Sequence, residues 1–198
     1  IAEAIDSGSV DCLQLRMKNA SQDRLVEAID ILRPIVQDRD IAFILNDDPV
    51  LAANTGCDGV HVGQSDPSCK DARAILGKDA IVGVTCLDSM DLAMRAAEQG
   101  ADYIAFGAFF HTNTKNSIGR PSPNLITNWN TFTTVPCVAI GGIRIDNCAT
   151  LISAGANFLA IISAIWDHPL GPAAAIKEFN KILLNNSWVR LSQDCLTN

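Results

Sequence analysis

Several features that would mark out whole classes of function are missing from these 198 residues. No apolar run approaches the ~18 residues needed to span a bilayer, and the opening Ile1-Ala2-Glu3-Ala4-Ile5-Asp6 has no basic stretch followed by an apolar one. Positive charge is scarce, with 15 Lys+Arg against 22 Asp+Glu and a formal net charge of −7. Nothing therefore draws the chain as a whole toward nucleic acid or anionic lipid, and any anion site must be local. No stretch resembles a dinucleotide-binding glycine fingerprint. The seven cysteines, at 12, 57, 69, 86, 137, 148 and 195, are odd in number and never spaced as CxxC. They read as reduced core thiols, not as disulfides or a zinc site. A soluble, cytoplasmic protein is expected, with no nucleic-acid or membrane partner. At 48% hydrophobic residues the chain can bury a full core.

One phrase recurs along the chain. Gly56-Cys57-Asp58-Gly59-Val60-His61-Val62 is followed by Gly100-Ala101-Asp102-Tyr103-Ile104-Ala105-Phe106 and by Gly155-Ala156-Asn157-Phe158-Leu159-Ala160-Ile161, with Gly8-Ser9-Val10-Asp11-Cys12-Leu13 a looser copy. In each, a glycine able to close a helix precedes a turn residue and a short apolar run. The copies lie about two strand-plus-helix units apart, and the apolar runs Ala42–Leu45, Ile81–Thr85 and Pro136–Ile140 fill the gaps. Such short runs suit strands buried on both faces of a parallel sheet. Helical patterns cover Gln22–Gln37, Pro49–Thr55, Pro67–Leu76, Ser89–Gln99, Asp146–Ala154 and Pro172–Leu184.

Alternation of this kind predicts an α/β fold. Seven strands, near residues 12, 42, 59, 81, 103, 137 and 158, point to a (β/α)8 TIM barrel with its first strand missing from the front of this chain. The even repeat favours the barrel over an open doubly wound sheet. Residues 1–184 are read as one barrel domain and residues 185–198 as a tail.

A barrel keeps its chemistry at the carboxyl ends of its strands, and polar residues collect there. Gln14, Arg16 and Lys18 alternate with Leu13, Leu15 and Met17, which predicts that the three polar side chains share one side. Asn46-Asp47-Asp48 ends the next strand, and His61-Val62-Gly63-Gln64-Ser65-Asp66 the one after. Asp47 and Asp66 beside Arg16 and Lys18 suit Mg²⁺ bridging carboxylates to a substrate phosphate, because Mg²⁺ prefers oxygen ligands. Asp48 before Pro49 reads as a helix cap, and Asp66 before Pro67 has capping as its alternative role. His61 reads as a hydrogen-bonded interior residue. Thr85 closes its strand with a hydroxyl, and Thr112-Asn113-Thr114-Lys115 lies in a long loop able to cover a phosphorylated ligand. Gly141-Gly142 and Ile162-Ser163 follow the last two strands, where barrels commonly bind phosphate through backbone N–H groups. A diphosphate corner and a monophosphate corner imply condensation of two phosphorylated substrates.

Taken in order, these motifs, with Gly83-Val84-Thr85, Ile140-Gly141-Gly142-Ile143 and Ile162-Ser163-Ala164-Ile165, resemble the thiamine phosphate synthase family over roughly residues 1–183. The resemblance implies a (β/α)8 barrel that joins 4-amino-5-hydroxymethyl-2-methylpyrimidine diphosphate to 4-methyl-5-(2-hydroxyethyl)thiazole phosphate, giving thiamine phosphate and pyrophosphate. It implies that Asp47 and Asp66 hold Mg²⁺, and that Arg16, Lys18, Asn46 and Lys115 bind the departing pyrophosphate. Gln14 and Thr85 would place the pyrimidine, while Thr112, Thr114, Gly142, Ile162 and Ser163 would hold the thiazole phosphate. Departures are Thr85 in place of the usual Ser, His111 in place of Pro, and the loop Asn116-Ser117-Ile118-Gly119-Arg120-Pro121 in place of a lysine-rich one.

Two other readings stand beside this one. A thiazole tautomerase shares the fold, but its proton-shuttling His would fall at Leu87 here. A non-catalytic regulator binding thiazole phosphate or thiamine phosphate would keep the pocket without turnover. A second copy of the chain is a further candidate partner.

Overall fold

The computed structural model describes residues 1–112 and 119–194, with side chains as far as residue 185. In chain order the elements are α1 (Ala2–Ile5), β1 (Cys12–Leu15), α2 (Gln22–Gln37), β2 (Ala42–Asn46), α3 (Pro49–Thr55), β3 (Gly59–Val62), α4 (Cys69–Leu76) and β4 (Ile81–Leu87). There follow α5 (Met90–Glu98), β5 (Tyr103–Phe106), α6 (Asn124–Phe132), β6 (Cys137–Ile140), α7 (Cys148–Ala154), β7 (Phe158–Ala160), α8 (Ser163–Trp166) and α9 (Pro172–Asp194). The fold is α/β, with seven strands among the described residues, each where the sequence pattern puts one. Two compact units are distinguishable, Val10–Ala105 and Ile1–Ser9 with Phe106–Asn198.

In the Val10–Ala105 unit the strands follow one another in sequence order from β1 to β5. β1, β2, β3 and β4 pair in parallel, with Leu13 opposite Phe43, Leu45 opposite Val60 and Val60 opposite Val82. Phe43, Ile44, Leu45, Val60, Val62 and Val82 are all but inaccessible to water, as strands covered on both faces require. Ser21, Asp48, Ser68 and Ser89 cap α2, α3, α4 and α5, each accepting the backbone N–H three residues on. Each such cap stabilises its helix by about 1 kcal/mol. Gly56, at φ +70°, ends α3 in the left-handed conformation expected of the repeat.

The recurring phrase is a repeated hydrogen-bond unit. Asp58 donates its N–H to the Phe43 carbonyl (2.9 Å) and accepts the Phe43 N–H on its carboxylate (2.7 Å). Asp102 does the same with Val82, at 2.8 and 2.7 Å. A helix side chain clamps each joint from outside. Gln37 donates to the Gly56 carbonyl and the Asp58 carboxylate, and Arg73 to the Gly100 carbonyl and the Asp102 carboxylate.

The second unit carries the third copy. Asn157 exchanges the same pair of bonds with Cys137, at 3.0 and 2.9 Å, and Asn130 on α6 donates to the Gly155 carbonyl. β6 and β7 pair in parallel with Val138 opposite Phe158. Ile126 and Trp129 on α6 are fully buried, with Trp129 edge-on to Phe106 at 5.8 Å. α1, α7 and α8 lie against α9. That last helix runs ten residues beyond the Leu184 end expected from the sequence, into the stretch read as a tail. No helix among the described residues is long and apolar enough to cross a membrane.

Candidate active site

A pocket of about 350 Å³ opens in the Val10–Ala105 unit where β1 and β2 end. Arg16, Lys18, Asn46, Asp47 and Asp48 line it, with Leu15, Met17, Asn19 and Leu25. Of the residues expected around a diphosphate, Arg16, Lys18, Asn46 and Asp47 share this concavity, whereas Asp66 does not line it and Lys115 lies outside the described residues. The strict alternation expected of the first strand does not persist, however. β1 stops at Leu15, so Met17, which strict alternation puts on the side away from Arg16 and Lys18, lines the pocket with them. Gln14 stays within β1, opposite Ile44, and does not line this pocket.

Asp47 follows β2 in a left-handed conformation (φ +71°), which Asp tolerates better than most residues. Its N–H donates to the His61 carbonyl on β3 (2.8 Å). Asp48 is the helix cap read from the sequence, its carboxylate accepting the Leu51 N–H at 2.9 Å. The alternative capping role for Asp66 falls to Ser68 instead. Asp66 lies in the loop after β3 and accepts the Gly63 N–H on one carboxylate oxygen (2.7 Å).

Two cations and two carboxylates line the pocket, so its formal charges cancel. A diphosphate entering it would bring uncompensated negative charge, which an oxygen-preferring divalent cation could balance. Asp47 offers carboxylate oxygens of the kind that would hold Mg²⁺. Among the described residues no three His, Cys, Asp or Glu side chains converge as a metal-binding set. All six described cysteines are free, and five of them are buried.

Thr85 was expected to close its strand, yet β4 continues to Leu87 and Thr85 lies inside it, buried. Its hydroxyl is 2.7 Å from His61 Nε2, and Tyr103 Oη is 2.9 Å from His61 Nδ1. Gln64 donates to the Thr85 carbonyl at 2.6 Å. His61 is the hydrogen-bonded interior residue the sequence suggested. Tyr103 and Gln64 were not singled out, although Tyr103 is the only tyrosine in the chain and sits in a core strand.

In the other unit, Gly141 (φ +91°) and Gly142 (φ +64°) form the turn after β6. A side chain on Gly141 would run into Ala108, and one on Gly142 into the His111 carbonyl. Their smallness admits the neighbouring segment 108–111, whereas the sequence alone suggests the close approach of a phosphate. Phe109 and Phe110 donate to the carbonyls of Ile140 and Gly141, and Asn147 donates to that of Gly142. Ile162 is half exposed at the start of α8, and Ser163 is the first residue of that short helix. Thr112 is half-buried; Thr114 and Lys115 lie outside the described residues.

The sequence profile described as thiamine monophosphate synthase matches residues 1–165. The chain is 54% identical to the thiamine-phosphate synthase of Rhodospirillum centenum, over 92% of this chain and 88% of that one. It is 43% identical to that of Hyphomonas neptunium, over 92% and 84%. The solved thiamine phosphate pyrophosphorylase of Pyrococcus furiosus superposes with a TM-score of 0.82 at 29% identity, covering 93% of this chain and 88% of that one. The 3-hexulose-6-phosphate synthase of Salmonella typhimurium shares the fold alone, with a TM-score of 0.64 at 19% identity, over 92% and 91%. On sequence and structure together, this chain belongs to the thiamine monophosphate synthase family.

Proposed function

We propose that the chain is a thiamine phosphate synthase, a transferase that joins 4-amino-5-hydroxymethyl-2-methylpyrimidine diphosphate to 4-methyl-5-(2-hydroxyethyl)thiazole phosphate. The carbon–oxygen bond to the diphosphate breaks, its electron pair leaves on pyrophosphate, and the thiazole nitrogen supplies the pair for the new carbon–nitrogen bond. The observation that carries this reading is the meeting of Arg16, Lys18, Asn46 and Asp47 in one pocket. Bond breaking ahead of bond making needs charge stabilisation on the leaving group and a positioned acceptor, and no protein nucleophile.

Arg16 and Lys18, with Lys115 and the Asn46 amide, neutralise or hydrogen-bond the departing pyrophosphate. Asp47 and Asp66 are the protein ligands for Mg²⁺, which when bound offsets negative charge on the diphosphate oxygens. Gln14 and Thr85 place the pyrimidine ring. Thr112, Thr114, Gly142, Ile162 and Ser163 hold the thiazole phosphate. The same reading takes residues 1–184 as one (β/α)8-type domain, acting in the cytoplasm on small molecules, with self-association as its only macromolecular contact. Leu87 ends β4 with a side chain that moves no proton, which tells against the tautomerase.

Incubation of the full-length protein with both substrates and Mg²⁺ should yield thiamine phosphate and pyrophosphate in equal amounts by chromatography. Binding of thiazole phosphate with no product would replace the enzyme by a regulator.

A further inference from the structure

Three polar side chains from three strands meet inside the Val10–Ala105 unit, and none of them lines the pocket of Arg16 and Asp47: His61 on β3, Thr85 on β4 and Tyr103 on β5. His61 and Thr85 are only 8% and 6% exposed. Both imidazole nitrogens are engaged, Nδ1 with Tyr103 Oη at 2.9 Å and Nε2 with Thr85 Oγ1 at 2.7 Å, and the His61 and Tyr103 rings stack at 5.5 Å. Gly83 makes room for this arrangement, because a Cβ there would fall within the Tyr103 ring. Gln64 fixes the Thr85 backbone through its carbonyl. An apolar trio would fill the same space without the desolvation cost of buried polar groups. The polarity of the cluster therefore has a use beyond packing.

The direction of the bonds can be worked out. A phenol is a good donor and a poor acceptor, so Tyr103 O–H donates to Nδ1. Burial first, then the nearby Cys12 and Asp102, pushes the phenol up from its ordinary range, which keeps that proton in place. A neutral imidazole accepting at Nδ1 carries its own proton on Nε2. Nε2–H then donates to Thr85 Oγ1. The Thr85 hydroxyl has spent an acceptor site and retains its O–H for a third atom.

We propose that Tyr103 is a positioning residue that acts through His61 to hold the Thr85 hydroxyl as a donor, so that the substrate atom it meets is an acceptor, a ring nitrogen of the pyrimidine. This rests on the assignment of Thr85 to the pyrimidine diphosphate under the proposed function.

Two readouts on the full-length protein test it. Tyr103→Phe leaves the ring on Gly83 and removes only the phenol O–H, while Thr85→Val keeps the shape and removes the hydroxyl. Nitrogen-15 NMR of the imidazole should show wild-type His61 protonated on Nε2, with that preference lost in Tyr103→Phe. In steady-state kinetics Tyr103→Phe should raise the KM for the pyrimidine diphosphate roughly tenfold, the loss of one buried hydrogen bond, and leave the KM for the thiazole phosphate within about twofold. In a Thr85→Val background the same change should add less than about twofold, since there is no hydroxyl left to orient. Protonation of wild-type His61 on Nδ1, or an undiminished tenfold effect in the Thr85→Val background, would overturn the relay. Were the wild type to release no pyrophosphate, the proposed function would fail, and the His61 tautomer alone would decide whether the relay exists.

Discussion

Asp102 gives the sharpest test of how the repeated joints hold the Val10–Ala105 unit together. Its carboxylate accepts the N–H of Val82, a residue with no exposed surface, at 2.7 Å, and also pairs with Arg73. Asp102→Ala leaves that N–H without its side-chain acceptor, which costs about 1–3 kcal/mol. The ion pair adds less than ~1 kcal/mol, because the Asp102 side chain is 48% exposed and Arg73 keeps the carbonyls of Gly77, Ala80 and Gly100. The expected total is about 1–4 kcal/mol, to be set against the ~5–15 kcal/mol that keeps a domain folded. Asp102→Asn retains an acceptor and should cost under ~1 kcal/mol. Asn157 already fills the same acceptor role against Cys137 at 2.9 Å. Urea unfolding followed by far-ultraviolet circular dichroism should rank wild type, Asp102→Asn and Asp102→Ala in falling order of midpoint, with unchanged slopes. Equal midpoints for the two variants would refute the reasoning, because the acceptor would then carry none of the stability.

Three further outcomes follow from the same geometry. Gly142→Ala forces a Cβ against the His111 carbonyl at φ +64°, so it should lower stability by about 1–3 kcal/mol and weaken thiazole phosphate binding while sparing the pyrimidine diphosphate; calorimetry with each ligand checks both effects. Asp48→Ala removes the α3 cap and should cost about 1 kcal/mol in urea unfolding; no shift in midpoint would mean that the Leu51 N–H finds another acceptor. The Cys86 thiol is pushed from 9.0 to about 12, by burial first and the neighbouring Cys69 second. Its contribution to stability is complete below pH 9 and drains away as pH climbs toward 12, because the unfolded chain releases a proton that the folded chain keeps. Stability measured from pH 8 to pH 11 should therefore fall more steeply in wild type than in Cys86→Ala, and parallel curves would contradict the assignment.

What could be read from the sequence divides along physical lines. Elements with their own local signals lie close to where the pattern puts them: α2 and α3 start behind Ser21 and Asp48, and β3 begins at Gly59 after its joint. α6 was not anticipated. Its sequence, Asn124-Leu125-Ile126-Thr127-Asn128-Trp129-Asn130-Thr131-Phe132, is rich in residues that favour turns over helix, and Pro123 at its N-cap has no side-chain acceptor to cap it. Burial of Ile126 and Trp129 holds it as a helix, a tertiary effect that local propensity does not carry. In the site, Arg16, Lys18, Asn46 and Asp47 were legible because they follow apolar runs directly. The hydrogen-bonded cluster of His61, Thr85 and Tyr103 was not, since it joins residues on three strands and depends on an absent side chain at Gly83. Spacing along the chain carries no trace of that meeting.

The central claim is that the pocket of Arg16, Lys18, Asn46 and Asp47 binds a diphosphate through Mg²⁺ and releases it as pyrophosphate. Pyrophosphate release from both substrates, measured across a Mg²⁺ titration for the full-length protein and for Asp47→Ala, tests it most directly. The account predicts release that requires the metal and falls on the order of 100-fold in the variant, with the residual activity needing more Mg²⁺. Release that ignores Mg²⁺, or that is the same in Asp47→Ala, would contradict it.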